Sequence, residues 1–208
     1  MTIQEHTPAG NGDLPGMRGN RFKPLTREVM TPAQLRMVDS VMQGKRGSMQ
    51  GPYNVLLRSP ELGQLAQQFG AHTRFHSSLP AHLNELAILL VARFWTCQFV
   101  WFAHRSIAVD AGLDEGLIRT IANGQTPSGM HPEVAAVYGF CNELLQTRKV
   151  ADSTYADMAT RFGEVGVVDA MGTMSYYTLV SMALNVDGYP LPPDAKPELQ
   201  PLPLPQQL

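Results

Sequence analysis

Glu85, Cys97 and His104 sit within Ala81–Ala111, a run bounded by Pro80 and Gly112 and free of both proline and glycine. Their neighbours are Leu, Ile, Val, Phe and Trp. An acid, a thiol and an imidazole in such company are costly to bury unless paired. They are also side chains that move protons and attack electrophiles. Cys97, Trp101 and His104 fall at i, i+4 and i+7, one stripe down a helical face. Seven residues rise about 10 Å along an α-helix, so sulfur and imidazole would need a water, a small molecule or Glu85 between them.

Each member has two readings. Glu85 either gains from the amino-terminal end of its helix and pairs with His82 or Arg93, or orients a catalytic imidazole. Cys97 is either a small buried hydrophobe or a reactive thiol. Thr96 is a competent N-cap, and a helix break at Trp95-Thr96 would put Cys97 in a first turn, where free N–H groups depress a thiol pKa. Tyr53 and Asn54, after the Gly51-Pro52 turn, are candidates to line a pocket. Tyr177 and Tyr176 lie on an apolar helix, where a buried phenol needs a partner. His72 and His76 are spaced i,i+4, but Thr73 stands where a zinc protease carries its acid. We read them as a surface pair and expect no metal site.

Positioning these groups falls to a helical scaffold. Thr31-Pro32-Ala33-Gln34 is a capping box opening a helix to about Gly44. Ser59-Pro60-Glu61 starts a second, to about His76, and Leu79-Pro80 starts the central run. Asp114 caps a short helix ending at Gly124, and Pro132 to about Arg148 is amphipathic. A helix from Asp152 or Ser153 closes at Gly163, and Glu164 to Val186 is the last. No segment alternates as a strand between hairpin turns, so the fold class is all-α, one compact multi-helix domain over 21–188. Residues 1–20, rich in Gly, Asn and Pro, are expected to be a flexible N-terminal segment. Residues 189–208, with seven of the sixteen prolines, form a Pro-rich tail expected to run extended over this subunit or a neighbour.

Composition narrows the function. Sixteen basic against eighteen acidic residues, net charge −2, gives no electrostatic reason for nucleic acid or an anionic membrane as partner. The longest apolar run, Leu86–Ala92, is too short to span a bilayer. Residues 1–20 lack the basic and apolar regions of a secretory signal, and two cysteines without a Cys-x-x-Cys read as free thiols. A cytoplasmic protein acting on a small-molecule substrate is the expectation. No phosphate loop, dinucleotide fingerprint or nucleophile elbow occurs, and no cofactor is expected.

Glu85-x11-Cys97-x6-His104, followed by Ala111-Gly112-Leu113, resembles the core of the carboxymuconolactone decarboxylase/alkyl hydroperoxidase D superfamily. Flanking segments agree with its decarboxylase-like branch: Gly51-Pro52-Tyr53-Asn54-Val55-Leu56-Leu57, Ser59-Pro60-Glu61-Leu62, Ser78-Leu79-Pro80, Glu85-Leu86-Ala87-Ile88-Leu89 and Tyr176-Tyr177-Thr178-Leu179-Val180. The resemblance covers about residues 20–190. It implies an all-α subunit assembled as a homotrimer or homohexamer, with the site among central helices near a subunit boundary. Glu85 and His104 carry over as the acid/base pair. The peroxide-reducing branch has Glu-x11-Cys-x2-Cys-x3-His, its second cysteine attacking peroxide; here Val100 fills that place, so a two-cysteine cycle is missing. The expected activity is therefore cofactor-independent lyase or isomerase chemistry on a small oxygenated carboxylate or lactone. His104, Glu85 and Cys97 are its catalytic candidates, and Trp101, Tyr53, Asn54 and Tyr177 its substrate-binding ones. The alternative is a single-cysteine peroxidase using Cys97 and an external thiol.

Overall fold

Proline and capping side chains set where the helices begin. In the computed structural model, which describes residues 14–201, Thr31 caps α1 (Pro32–Gln43) through a reciprocal bond with Gln34, and Asp114 caps α6 (Glu115–Ala122) by accepting from the Leu117 N–H. Pro60 and Pro132 occupy the first turns of α3 (Pro60–Phe75) and α7 (Pro132–Thr147). Gly51-Pro52, expected to be a turn only, leads into a one-turn helix, α2 (Tyr53–Leu56). Among the described residues there is no β-strand, and the chain is one compact all-α unit.

The middle of the molecule is α4 (Ala81–Phe94). Leu83, Leu86, Ala87, Ile88, Leu89, Val91 and Ala92 are all fully buried, because α5 (Gln98–Asp110), α7 and α8 (Asp152–Asp187) surround it. A second apolar cluster (Met37, Val38, Val41, Met49, Tyr53 and Leu57) joins α1, α2 and the segment between them. Asn84 staples α3 and α8 to α4: its amide donates to the Thr73 carbonyl, and its oxygen accepts from the Thr173 hydroxyl.

Two interruptions shape the site. Thr96 adopts a left-handed conformation (φ 47°), which ends α4 and turns the chain into α5. The two helices predicted on either side of Gly163 are both present, joined as α8 through that glycine (φ 67°, ψ 174°).

The termini depart from expectation in part. Residues 1–13 and 202–208 lie outside the described region. From Leu14 onward the N-terminal segment is anchored: the Asp187 carboxylate accepts from the Asn20 and Phe22 N–H groups, at 3.1 and 2.8 Å. On the tail, Gln98 bonds the backbone of Glu198 and Leu199, and Leu199 is buried.

Candidate functional site

The hairpin of α4 and α5 brings Glu85 and His104 to one level. Glu85 lies ten residues before the turn at Trp95 and His104 eight after Thr96, so at 1.5 Å per residue both stand roughly 12–15 Å from it. Glu85 Oε2 and His104 Nδ1 are 2.7 Å apart, and the residues are only 6% and 5% exposed. An ionised carboxylate can only accept, so Nδ1 carries the proton and Nε2 is left for other partners. Glu85 pairs with His104 rather than with His82 or Arg93; Arg93 reaches the carbonyls of Ala122 and Gln200.

His104 lines a cavity of about 100 Å³ together with Tyr53, Tyr176 and Tyr177. Phe99, Val100, Val180 and Leu184 complete its apolar wall, and Arg46 and Arg74 also line it. Tyr177 stands edge-on to the imidazole, ring centroids 4.9 Å apart and planes at 84°, and Tyr176 stands edge-on to Tyr177 at 5.2 Å. Burial pushes the Tyr53 and Tyr177 phenols well above their ordinary range, so both stay neutral and able to donate. The space is smaller than the roughly 150 Å³ that holds benzene in an engineered apolar cavity, so it suits a very small molecule or the reacting end of a larger one. A hollow of about 530 Å³ near His82 and His131 is roomier. It lacks a buried carboxylate–imidazole pair, and chemistry rather than volume selects the smaller one.

The expected site divides here. Tyr53 and Tyr177 line the cavity with His104, Glu85 reaches it only through its bond to His104, and Cys97, Trp101 and Asn54 are not among its lining. Cys97, 1% exposed, borders a different hollow beside Trp95 and Tyr189, and Phe99 and Leu184 line both spaces. The chain does break at Trp95-Thr96, but Cys97 is itself the N-cap of α5. Burial raises its thiol pKa and outweighs the Val100 and Phe99 N–H groups and the Ser181 hydroxyl, which lower it. The predicted activation is therefore reversed. Trp101 sits at a helical position adjoining the tail, where its indole N–H donates to Glu198 at 3.2 Å. Asn54 is fully buried and structural: it donates to the Phe22 carbonyl at 2.6 Å and accepts from Arg58 at 2.9 Å.

The two arginines were not among the expected site residues, and Tyr176 was noted only as a phenol that needs a partner if buried. Arg46 lies in the Gly44–Gly51 loop and Arg74 in the last turn of α3, and neither position carries a motif. His72 and His76 form an exposed tilted pair, 6.2 Å between rings, with His72 near Asp169. Among the described residues no three His, Cys, Asp or Glu side chains group closely enough to hold a metal ion.

The buried thiols and phenols make a pH signature. Cys141 is pushed up to about 12, and Cys97, Tyr53 and Tyr177 shift the same way. A raised pKa means the folded state keeps a proton that the unfolded chain releases. The stability is complete below the unfolded values, about 8.5 for Cys and 10 for Tyr, and is lost as pH rises through the folded ones. Each group then costs roughly ten-fold in the folding equilibrium per pH unit. Thermal unfolding followed by circular dichroism should give a midpoint that falls steadily above about pH 9.

Comparison with known proteins adds no assignment: no protein-family model matches the chain, and no curated protein matches it. Among the described residues, no helix is long and apolar enough to cross a membrane.

Proposed function

We propose that this protein is a carboxymuconolactone decarboxylase-like enzyme, performing cofactor-independent lyase or isomerase chemistry on a small oxygenated carboxylate or lactone. The observation that carries the reading is the 2.7 Å contact between buried Glu85 and His104, with the imidazole lining a small, largely apolar cavity. His104 Nε2 exchanges a proton with the substrate carbon that develops enolate character. In a decarboxylation the C–CO₂ bond breaks, its electron pair passes onto a neighbouring carbonyl oxygen, and His104, first protonated at Nε2 from water, delivers that proton to the carbon as the carbonyl re-forms, so that each turnover consumes one solvent proton. Glu85 fixes the tautomer and stabilises the imidazolium. The neutral hydroxyls of Tyr53 and Tyr177, two residues that line the cavity, donate to the enolate oxygen. Turnover of a panel of keto acids and lactones by the wild type beside His104→Ala tests the proposal. The burial and raised pKa of Cys97 favour this reading over the single-cysteine peroxidase.

The same proposal includes a cytoplasmic setting, in keeping with two free buried thiols, and assembly as a homotrimer or homohexamer. Support for assembly comes from α3 and α8, which pack together yet leave Leu62, Leu65, Phe69, Val165, Val168 and Met171 exposed. Light scattering coupled to gel filtration is expected to give a multiple of the monomer mass, and Leu65→Glu with Val168→Glu should reduce it to the monomer. A monomeric wild type would refute assembly.

A further inference from the structure

Charge at the cavity is one-sided. Arg46 and Arg74 line it with His104, and no aspartate or glutamate does. Both arginines are half-buried, and among the described residues neither forms an ion pair, whereas Arg27, Arg105 and Arg161 each do. Both lie close to aromatic rings instead. The Arg46 guanidinium carbon lies 5.7 Å from the ring centroids of Tyr53 and Phe75 and 5.9 Å from that of Tyr176. The Arg74 carbon lies 5.4 Å from the Phe75 ring. Cation–π contact restrains a guanidinium without using its N–H donors, and among the described residues Arg46 commits Nη1 alone, at 3.4 Å, to the Gln67 carbonyl.

Two cations without acids, at a cavity also lined by Phe99, Val100, Val180 and Leu184, select an anion with flat, paired oxygens. We propose that Arg46 and Arg74 bind a carboxylate that the substrate retains, and so set which substrate carbon meets His104. The assignment rests on the acid–base reading above and narrows it. A carboxylate destined to leave as CO₂ would be held back by two cations, because they stabilise the ground state more than the transition state. The arginines therefore grip a second carboxylate, and the scissile one lies toward Phe99, Val100, Val180 and Leu184. The substrate class is a small organic acid with a further activated carbon, rather than a neutral lactone.

Calorimetric titration with malonate, acetate, inorganic phosphate and neutral dimethyl malonate tests this without turnover. Malonate should bind at least ten-fold more tightly than its dimethyl ester and more tightly than phosphate. Arg46→Gln and Arg74→Gln should each weaken malonate at least ten-fold, with partial recovery in Arg46→Lys and Arg74→Lys. Equal affinity for acid and ester, phosphate binding as tight as malonate, or wild-type affinity in both glutamine variants would overturn the assignment. Glu85→Gln with His104→Ala keeps both arginines without stranding a buried charge, and should still bind malonate more tightly than its dimethyl ester. Arginine-dependent malonate binding in an enzyme that turns over nothing would sink the catalytic reading and leave the anion site standing.

Discussion

His104→Ala is expected to lower turnover by about 10²–10⁴-fold, the range a positioned general acid–base supplies. The variant also strands a carboxylate: Glu85 is 6% exposed and its hydrogen-bond partner among the described residues is His104. Breaking a buried pair by removing one partner costs about 3–5 kcal/mol, so loss of activity in the single variant could be loss of fold. Glu85→Gln with His104→Ala separates the two, because a neutral amide is cheaper to leave in that place than a charge. The double variant should recover most of the thermal midpoint and none of the activity. Glu85→Gln alone keeps the imidazole at the cavity and should lower kcat more than it raises KM, because Glu85 acts through His104 rather than on substrate. Turnover at wild-type rate in His104→Ala would end the acid–base assignment.

How far the sequence reaches can be judged residue by residue. Local chemistry was legible: the Thr31 capping box, Pro60, Asp114, Pro132 and the break at Gly163 mark real boundaries, because capping and proline geometry act within one turn. Glu85 and His104 could be singled out by their apolar neighbourhood, since burying such groups demands a partner. Cys97 shows the limit. Trp101 and His104 do lie on α5, with Cys97 capping its amino-terminal end, but neighbours on different sides cover the three: the tail meets Trp101 through Glu198, and Phe99 and Leu184 border the spaces on both sides. Periodicity gives direction from an axis and says nothing about what covers that direction. Arg46 and Arg74 were invisible for a related reason, since a cation in a glycine-flanked loop and another at a helix end are ordinary surface positions until α8 carries Tyr176 and Tyr177 beside them.

The Tyr176 contact makes Gly70 the residue where packing and site are most tightly joined. Gly70 is buried inside α3, and a methyl group there would run into the ring and hydroxyl of Tyr176, which packs edge-on to Phe69 at 5.8 Å and lines the cavity. Helix propensity alone says Gly70→Ala should stabilise by about 1 kcal/mol. Overpacking costs about 1–3 kcal/mol and works against it, because Tyr176 has Phe69, Tyr177 and Arg46 around it and cannot swing freely. Packing should win, lowering the thermal midpoint by about 2–6 °C for a chain of this size and disturbing the cavity wall. Gly139 supplies the opposite case: it lies within α7, and a methyl there meets no atom within 4 Å, so Gly139→Ala should raise the midpoint. Adding Tyr176→Leu to Gly70→Ala should return stability through a coupling of about 0.5–3 kcal/mol while leaving activity impaired, since the cavity has lost the ring beside Arg46 and Tyr177. Should Gly70→Ala stabilise as Gly139→Ala does, Tyr176 is not wedged against α3, and the aromatic wall that holds Arg46 beside the imidazole loses its footing.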